Sequence, residues 1–129
     1  MILLDTHALL WMGGEPRRLS AVARRAIQQA PGSGGLGIAA ISLWEVAWLA
    51  ARGRIVLATT TAAFLAELTQ RTAIYPITSE IAALAASFGP DYPSDPCDRI
   101  IGATALAIGA PLITRDAALR RIPALQTVW

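Results

Sequence analysis

Lysine and asparagine are absent from this 129-residue chain, and cysteine and histidine occur once each. One cysteine excludes an internal disulfide, and one His with one Cys falls short of the usual four-ligand zinc site. Without lysine, all eleven basic residues are arginine, against nine acids, for a net charge of +2. Arginine forks suit phosphate, but in an alanine-rich chain without Lys or Asn the bias reads first as coding preference. Membrane-spanning segments are also missing. The apolar run from Ile100 to Thr114 contains two glycines and a proline and falls short of the ~18–20 residues a span requires. Asp5 and His7 interrupt the first apolar block, unlike a secretory signal, so cytoplasm is the expected compartment. With 54% hydrophobic residues, the chain can bury a core, and its length suits one domain spanning residues 1–129.

Short apolar runs alternate with amphipathic stretches. Met1 to Leu4 is too short for a helix and reads as a buried strand ending at Asp5; a short helix is expected over Ala8 to Met12. Leu19, Val22, Ala23, Ala26, Ile27 and Ala30 fall at helical spacing, with Ser20 as N-cap and Pro31-Gly32 as the stop. Leu36 to Ile41 reads as a second strand, after which Ser42 is expected to open a helix closed by Gly53. A helix over Thr61 to Arg71 precedes a third strand, Ile74 to Ile77, which Pro76 assigns to a sheet edge. Thr78 or Ser79 starts a helix through Phe88. Pro96 occupies a natural first helical position after Asp95, and the helix runs to Gly109. Leu112 to Thr114, a short helix over Ala117 to Arg121, and Gln126 to Trp129 complete the pattern. Repeated strand and helix with short connections predicts an α/β fold with a mostly parallel sheet of about five strands between helices.

Four carboxylates then stand out. Asp5 and Asp116 each follow a strand, while Glu45 and Asp98 each lie in the first turn of a helix. Parallel strands would bring all four to the carboxyl edge of the sheet, where open α/β folds bind ligands. Carboxylates so close resist joint ionisation, and their usual companion is a hard cation such as Mg²⁺. Each acid also has a purely structural account. Asp5 suits an N-cap. Ser42-Leu43-Trp44-Glu45 fits a capping box with Glu45 at N3, which would compete with a metal role. Asp98 at N3 complements the helix dipole behind the Asp95 cap.

Other polar residues are weighed beside them. Thr114 can orient a carboxylate, and His7 lines the expected site without a serine or cysteine nucleophile to serve. Arg99 and Arg115, the arginines nearest the acids, are candidate supporting or substrate-contacting residues; Arg99 can hold a phosphate or pair with an acid at the surface, and the surface pairing is the favoured reading. Arg17, Arg18, Arg24 and Arg25 read as a solvated helix face that can also contact phosphate. Glu15, Glu67, Glu80 and Asp91 read as solvated charges.

Asp5-Thr6-His7-Ala8-Leu9-Leu10-Trp11, Ile41-Ser42-Leu43-Trp44-Glu45-Val46, Asp95-Pro96-Cys97-Asp98-Arg99-Ile100-Ile101 and Leu112-Ile113-Thr114-Arg115-Asp116 together resemble the PIN-domain ribonucleases, specifically the VapC-type toxins of bacterial toxin–antitoxin pairs. The resemblance spans nearly the whole chain. It implies a PIN-like fold in which Asp5, Glu45, Asp98 and Asp116 hold Mg²⁺ or Mn²⁺ for hydrolysis of RNA, supported by Thr6 or Thr114. It also implies a homodimer and a VapB-type antitoxin that covers a hydrophobic groove, for which Trp11, Trp44 and Trp48 are candidate contacts. Cys97 stands where relatives commonly carry an aromatic residue, a change expected to affect packing only. Two other readings compete: a catalytically silent RNA- or protein-binding module of the same fold, and a phosphohydrolase of another α/β family. A haloacid-dehalogenase-like site would need an Asp where His7 stands.

Overall fold

The computed structural model describes residues 1–129, the side chain of Ser33 excepted. Five parallel strands form one sheet: β1 (Ile2–Leu4), β2 (Leu36–Ala39), β3 (Ala73–Tyr75), β4 (Leu112–Ile113) and β5 (Thr127–Val128), in the order β3-β2-β1-β4-β5. Seven α-helices connect and cover them: α1 (Thr6–Gly14), α2 (Ala21–Gln29), α3 (Ala40–Ala51), α4 (Thr61–Arg71), α5 (Ser79–Ser87), α6 (Pro96–Ile108) and α7 (Ala117–Arg120). None is long and apolar enough to cross a membrane.

The strands alternate their side chains between two cores, as the period-two geometry of a strand requires. Ile2, Leu4, Ile38 and Ile113 join Leu9, Trp11, Val46 and Leu68 on one face. Leu3, Ala39 and Leu112 join Ile101, Ala105 and Leu119 on the other. Both faces are therefore buried, which explains why the strands read as continuous apolar runs rather than as alternating ones. Gly37 keeps β2 and β3 close: a Cβ there would lie 2.7 Å from the Tyr75 ring.

Helix starts follow local chemistry closely. Asp5, Ser20, Thr60, Thr78, Asp95 and Asp116 each accept a hydrogen bond from a backbone N–H three residues on, and so cap α1, α2, α4, α5, α6 and α7. Gly109 ends α6 at φ +64°, a left-handed conformation suited to glycine. Helix α3 is the exception and corrects an expectation. It follows β2 directly, with Ala39 at the N-cap position and no side-chain cap. Ser42 lies inside the helix, fully buried, where its Oγ accepts a hydrogen bond from Thr6 Oγ1 at 3.0 Å. No capping box forms, so Glu45 does not divide its carboxylate between a cap and a cleft. The cause is tertiary: β2 stops at Ala39, two residues before the expected end of the strand, and the chain turns directly into the helix.

Smaller boundary differences have similar causes. Helix α1 starts at Thr6 rather than Ala8 because Asp5 caps it. Strand β3 begins one residue earlier and ends two residues earlier than expected, at the sheet edge, with Pro76 just outside its ladder.

Candidate functional site

Strand order reverses beside β1, since β2 and β3 extend the sheet one way and β4 and β5 the other. The crevice at the carboxyl ends of β1 and β4 is thus the topological switch point, the usual ligand position in open α/β sheets. The Asp5 N–H donates to the Ile113 carbonyl at 3.1 Å, which joins the two strand ends. Here a cleft of about 380 Å³ opens, lined by Asp5, Glu45, Asp95, Asp98 and Asp116, by Thr6, His7 and Trp11, and by Arg18 and Arg115.

Each acid reaches the cleft from a different element. Asp5, 6% exposed, is the most deeply set, and its Oδ1 accepts the Ala8 N–H at 2.7 Å. Burial pushes its carboxyl above the ordinary value, while the Ala8 N–H and the Thr114 hydroxyl pull it down. Thr114, fully buried at the end of β4, joins two acids: its hydroxyl donates to Asp5, and its Oγ1 accepts the Asp116 N–H at 3.0 Å. Asp116 in turn caps α7 through the Leu119 N–H at 2.8 Å. Asp98 enters from the first turn of α6. Burial first, then the charges of Asp95, Asp116, Glu45 and Asp5, raise its carboxyl to about 7.

No cleft carboxylate has an ion-pair partner among the described residues; the two salt bridges, Arg18–Glu15 and Arg71–Glu67, lie outside this group. The donors are hard oxygens, the negative charge is uncompensated, and one acid is forced towards its neutral form. That combination fits a divalent cation.

The cleft brings some of the expected residues together and leaves others out. Asp5, Glu45, Asp98 and Asp116 come together as expected, with Thr6, His7 and Arg115 beside them and Thr114 behind. Arg99 does not join them. Its guanidinium donates to the carbonyls of Pro93 at 2.7 Å and Phe88 at 2.8 Å, tying down the end of α5 and the loop after it rather than a phosphate or an acid. Asp95, read only as a cap, is a fifth acid of the cleft. Its position one turn before Asp98 was the available signal. Cys97 is not confined to packing either. Its thiol donates to Glu45, and ligand atoms of Glu45, Asp95 and Cys97 lie within 4.8 Å of one another. Burial, then Glu45 and Asp95, push the thiol up to about 12, so it is a protonated neighbour of the acids.

The chain as a whole is similar to known proteins. The chain matches the PIN domain over residues 2–125. It belongs to the PIN-domain family. It is 42% identical to Ribonuclease VapC22 of Mycobacterium tuberculosis over 130 aligned residues, covering 99% of this chain and 98% of that protein. It is therefore a homologue of a VapC ribonuclease. Solved structures agree on the fold. VapBC-1 from nontypeable Haemophilus influenzae superposes with a TM-score of 0.72 at 23% identity, covering 98% of this chain and 96% of that one. VapBC2 from Rickettsia felis, bound to a DNA fragment from its promoter, gives 0.70 at 16%, covering 98% and 97%. PIN-domain nucleases are metal-dependent, and this PIN domain has an acidic cluster.

Of the three tryptophans named as contact candidates, Trp11 is 7% exposed and packs in the core against Trp129. Trp44 and Trp48 share the outer face of α3, 54% and 37% exposed, with ring centroids 6.1 Å apart.

Proposed function

We propose that this PIN domain is a divalent-metal-dependent endoribonuclease, the toxin of a toxin–antitoxin pair. The observation that carries the reading is the convergence of five carboxylates without ion-pair partners at the sheet's switch point. Homology to a named VapC ribonuclease over nearly the full chain gives the reaction class.

Asp5, Asp98 and Asp116, with Glu45 at the side, are the residues that would hold Mg²⁺ or Mn²⁺. When bound, the cation supplies charge neutralisation at the phosphate and lowers the pKa of an attacking water. The chain supplies positioning. The Ala8 N–H and the Thr114 hydroxyl fix one carboxylate, and the N–H of Leu119 fixes another, so the donors are set before a ligand arrives. Glu45, free of any capping bond, is the carboxylate available to take a proton from water as the phosphorus–oxygen bond forms and the leaving oxygen departs. Single-stranded or looped RNA is the expected substrate, because a duplex does not bring its backbone into so narrow a cleft.

An antitoxin of the VapB type is the expected partner, in keeping with the VapBC complexes that share this fold. The exposed Trp44 and Trp48 are candidate contacts for it or for a second copy in a homodimer. A cytoplasmic location suits these roles.

The test is direct. Purified protein should cleave single-stranded RNA with Mg²⁺ or Mn²⁺, stop on chelation, and lose activity in Asp5→Asn. Cleavage that survives chelation, or a fully active Asp5→Asn, overturns the proposal.

A further inference from the structure

An acidic cleft repels the polyanion it is proposed to cut, so attraction must come from elsewhere in the same cleft. Two guanidiniums line it, Arg18 and Arg115, and both lie over one ring: Arg18 Cζ is 4.6 Å and Arg115 Cζ 5.9 Å from the Trp11 centroid. Trp11 cannot swing away, since it is 7% exposed and Trp129 packs against it with centroids 5.8 Å apart. The short 3-10 turn that carries Arg18, Pro16–Arg18, is held as well: Arg24 donates to the carbonyls of Pro16 and Leu19 at 3.4 and 3.0 Å.

The chemistry of this arrangement differs from that of an ion pair. Cation–π contact orients a guanidinium through its face and leaves the N–H donors at its edge unused. Arg115 makes no hydrogen bond or ion pair among the described residues. Arg18 has only a solvent-exposed pairing with Glu15 at 3.8 Å, which a phosphate readily displaces. Arg99, by contrast, spends its donors on backbone carbonyls. The cleft therefore has an acidic side, suited to a cation and the scissile phosphate, and a cationic side whose forks are positioned with their donors free.

We propose that Arg18 and Arg115, positioned on Trp11, grip the phosphates flanking the scissile one and so bind single-stranded RNA across the cleft. This rests on the ribonuclease reading for its substrate, but binding can be measured without cleavage. The probe is a fluorescein-labelled, mixed-sequence oligoribonucleotide, read by anisotropy over a series of salt concentrations with Ca²⁺ in place of Mg²⁺, a larger cation that neutralises the acids without the tight octahedral geometry of the cleavage metal.

Arg18→Gln and Arg115→Gln should each weaken binding severalfold, and each should flatten the slope of log affinity against log salt by about 0.7, one phosphate contact on a single strand. Arg71→Gln, at the exposed end of α4 and outside the cleft lining, should leave both unchanged. Arg18→Lys, which keeps the charge but not the planar fork, should recover only part of the affinity. Wild-type affinity and slope in both glutamine variants, or no measurable binding by the wild-type protein, overturns the proposal. Full recovery in Arg18→Lys overturns the role given to the Trp11 ring. If arginine-dependent binding is found while wild-type protein cuts no RNA, the nuclease reading fails and this one stands.

Discussion

Replacing Asp98 by Asn should make the metal-free protein more stable at pH 8 while abolishing its activity. The carboxyl of Asp98 sits at about 7 in the fold against an ordinary 3.8. A folded-state value above the unfolded one means that the native state holds the proton more tightly between those limits. The contribution of Asp98 is therefore favourable at low pH and is lost as pH rises from about 4 to about 7. Some three pH units at ~1.36 kcal/mol each set an upper bound near 4 kcal/mol. Solvent around a half-buried group and the lost helix-dipole interaction of ~0.3–1 kcal/mol reduce the net gain to about 1–3 kcal/mol. For a domain of this size that is a rise in Tm of roughly 3–10 °C. Thermal melts of wild type and Asp98→Asn in chelator, from pH 5 to pH 8, provide the assay. The variant should overtake the wild type as pH rises, and saturating Mg²⁺ should raise the wild-type Tm more than the variant's. Equal Tm differences at pH 5 and pH 8, or a variant less stable at both, would refute the reasoning that like charge and burial dominate at this carboxyl.

Three further outcomes follow from the same structure. Thr114→Val removes a buried hydroxyl that joins Asp5 to the Asp116 backbone; chemical denaturation should show a loss of about 1–3 kcal/mol, and RNA cleavage should drop at least ~10-fold, with both largely restored in Thr114→Ser. Ser42→Ala and Thr6→Val should each destabilise by about 1–3 kcal/mol by leaving a buried partner unpaired, and the double variant by less than the sum; strict additivity would mean that the 3.0 Å bond between them contributes nothing. Cys97, buried and with its thiol pushed up to about 12, should resist iodoacetamide at pH 8 in the native protein and react promptly once unfolded, as followed by intact mass; rapid native alkylation would place it in a different environment.

Much of the architecture was legible because local chemistry and tertiary packing agree. The capping residues Ser20, Thr78 and Asp95, the stop at Gly109 and the helix over Thr61–Arg71 appear where short-range rules place them. The exception is Ser42-Leu43-Trp44-Glu45, which satisfies a local motif that the fold does not use. Capping needs Ser42 in an extended conformation at a helix start, whereas the turn after Ala39 places it one layer deeper, against Thr6. A sequence motif states what a segment can do in isolation; burial decides whether it does so.

The arginines make the same point from the other side. Arg17, Arg18, Arg24, Arg25, Arg99 and Arg115 are chemically identical in sequence, yet one binds backbone carbonyls beyond α5, another braces the turn after α1, and two lie on Trp11 at the cleft. By itself the sequence determined the alternation of strands and helices and which acids end or follow them, because apolar periodicity and capping are short-range properties carried by neighbouring residues. Only the tertiary structure decided that Asp95 joins the other four acids, that Glu45 is free of a cap, and which arginines face the cleft. Those depend on strand order and on where long side chains find partners, whether seven residues away, as Arg18 does on Trp11, or more than a hundred, as Arg115 does on the same ring, and no local spacing encodes either.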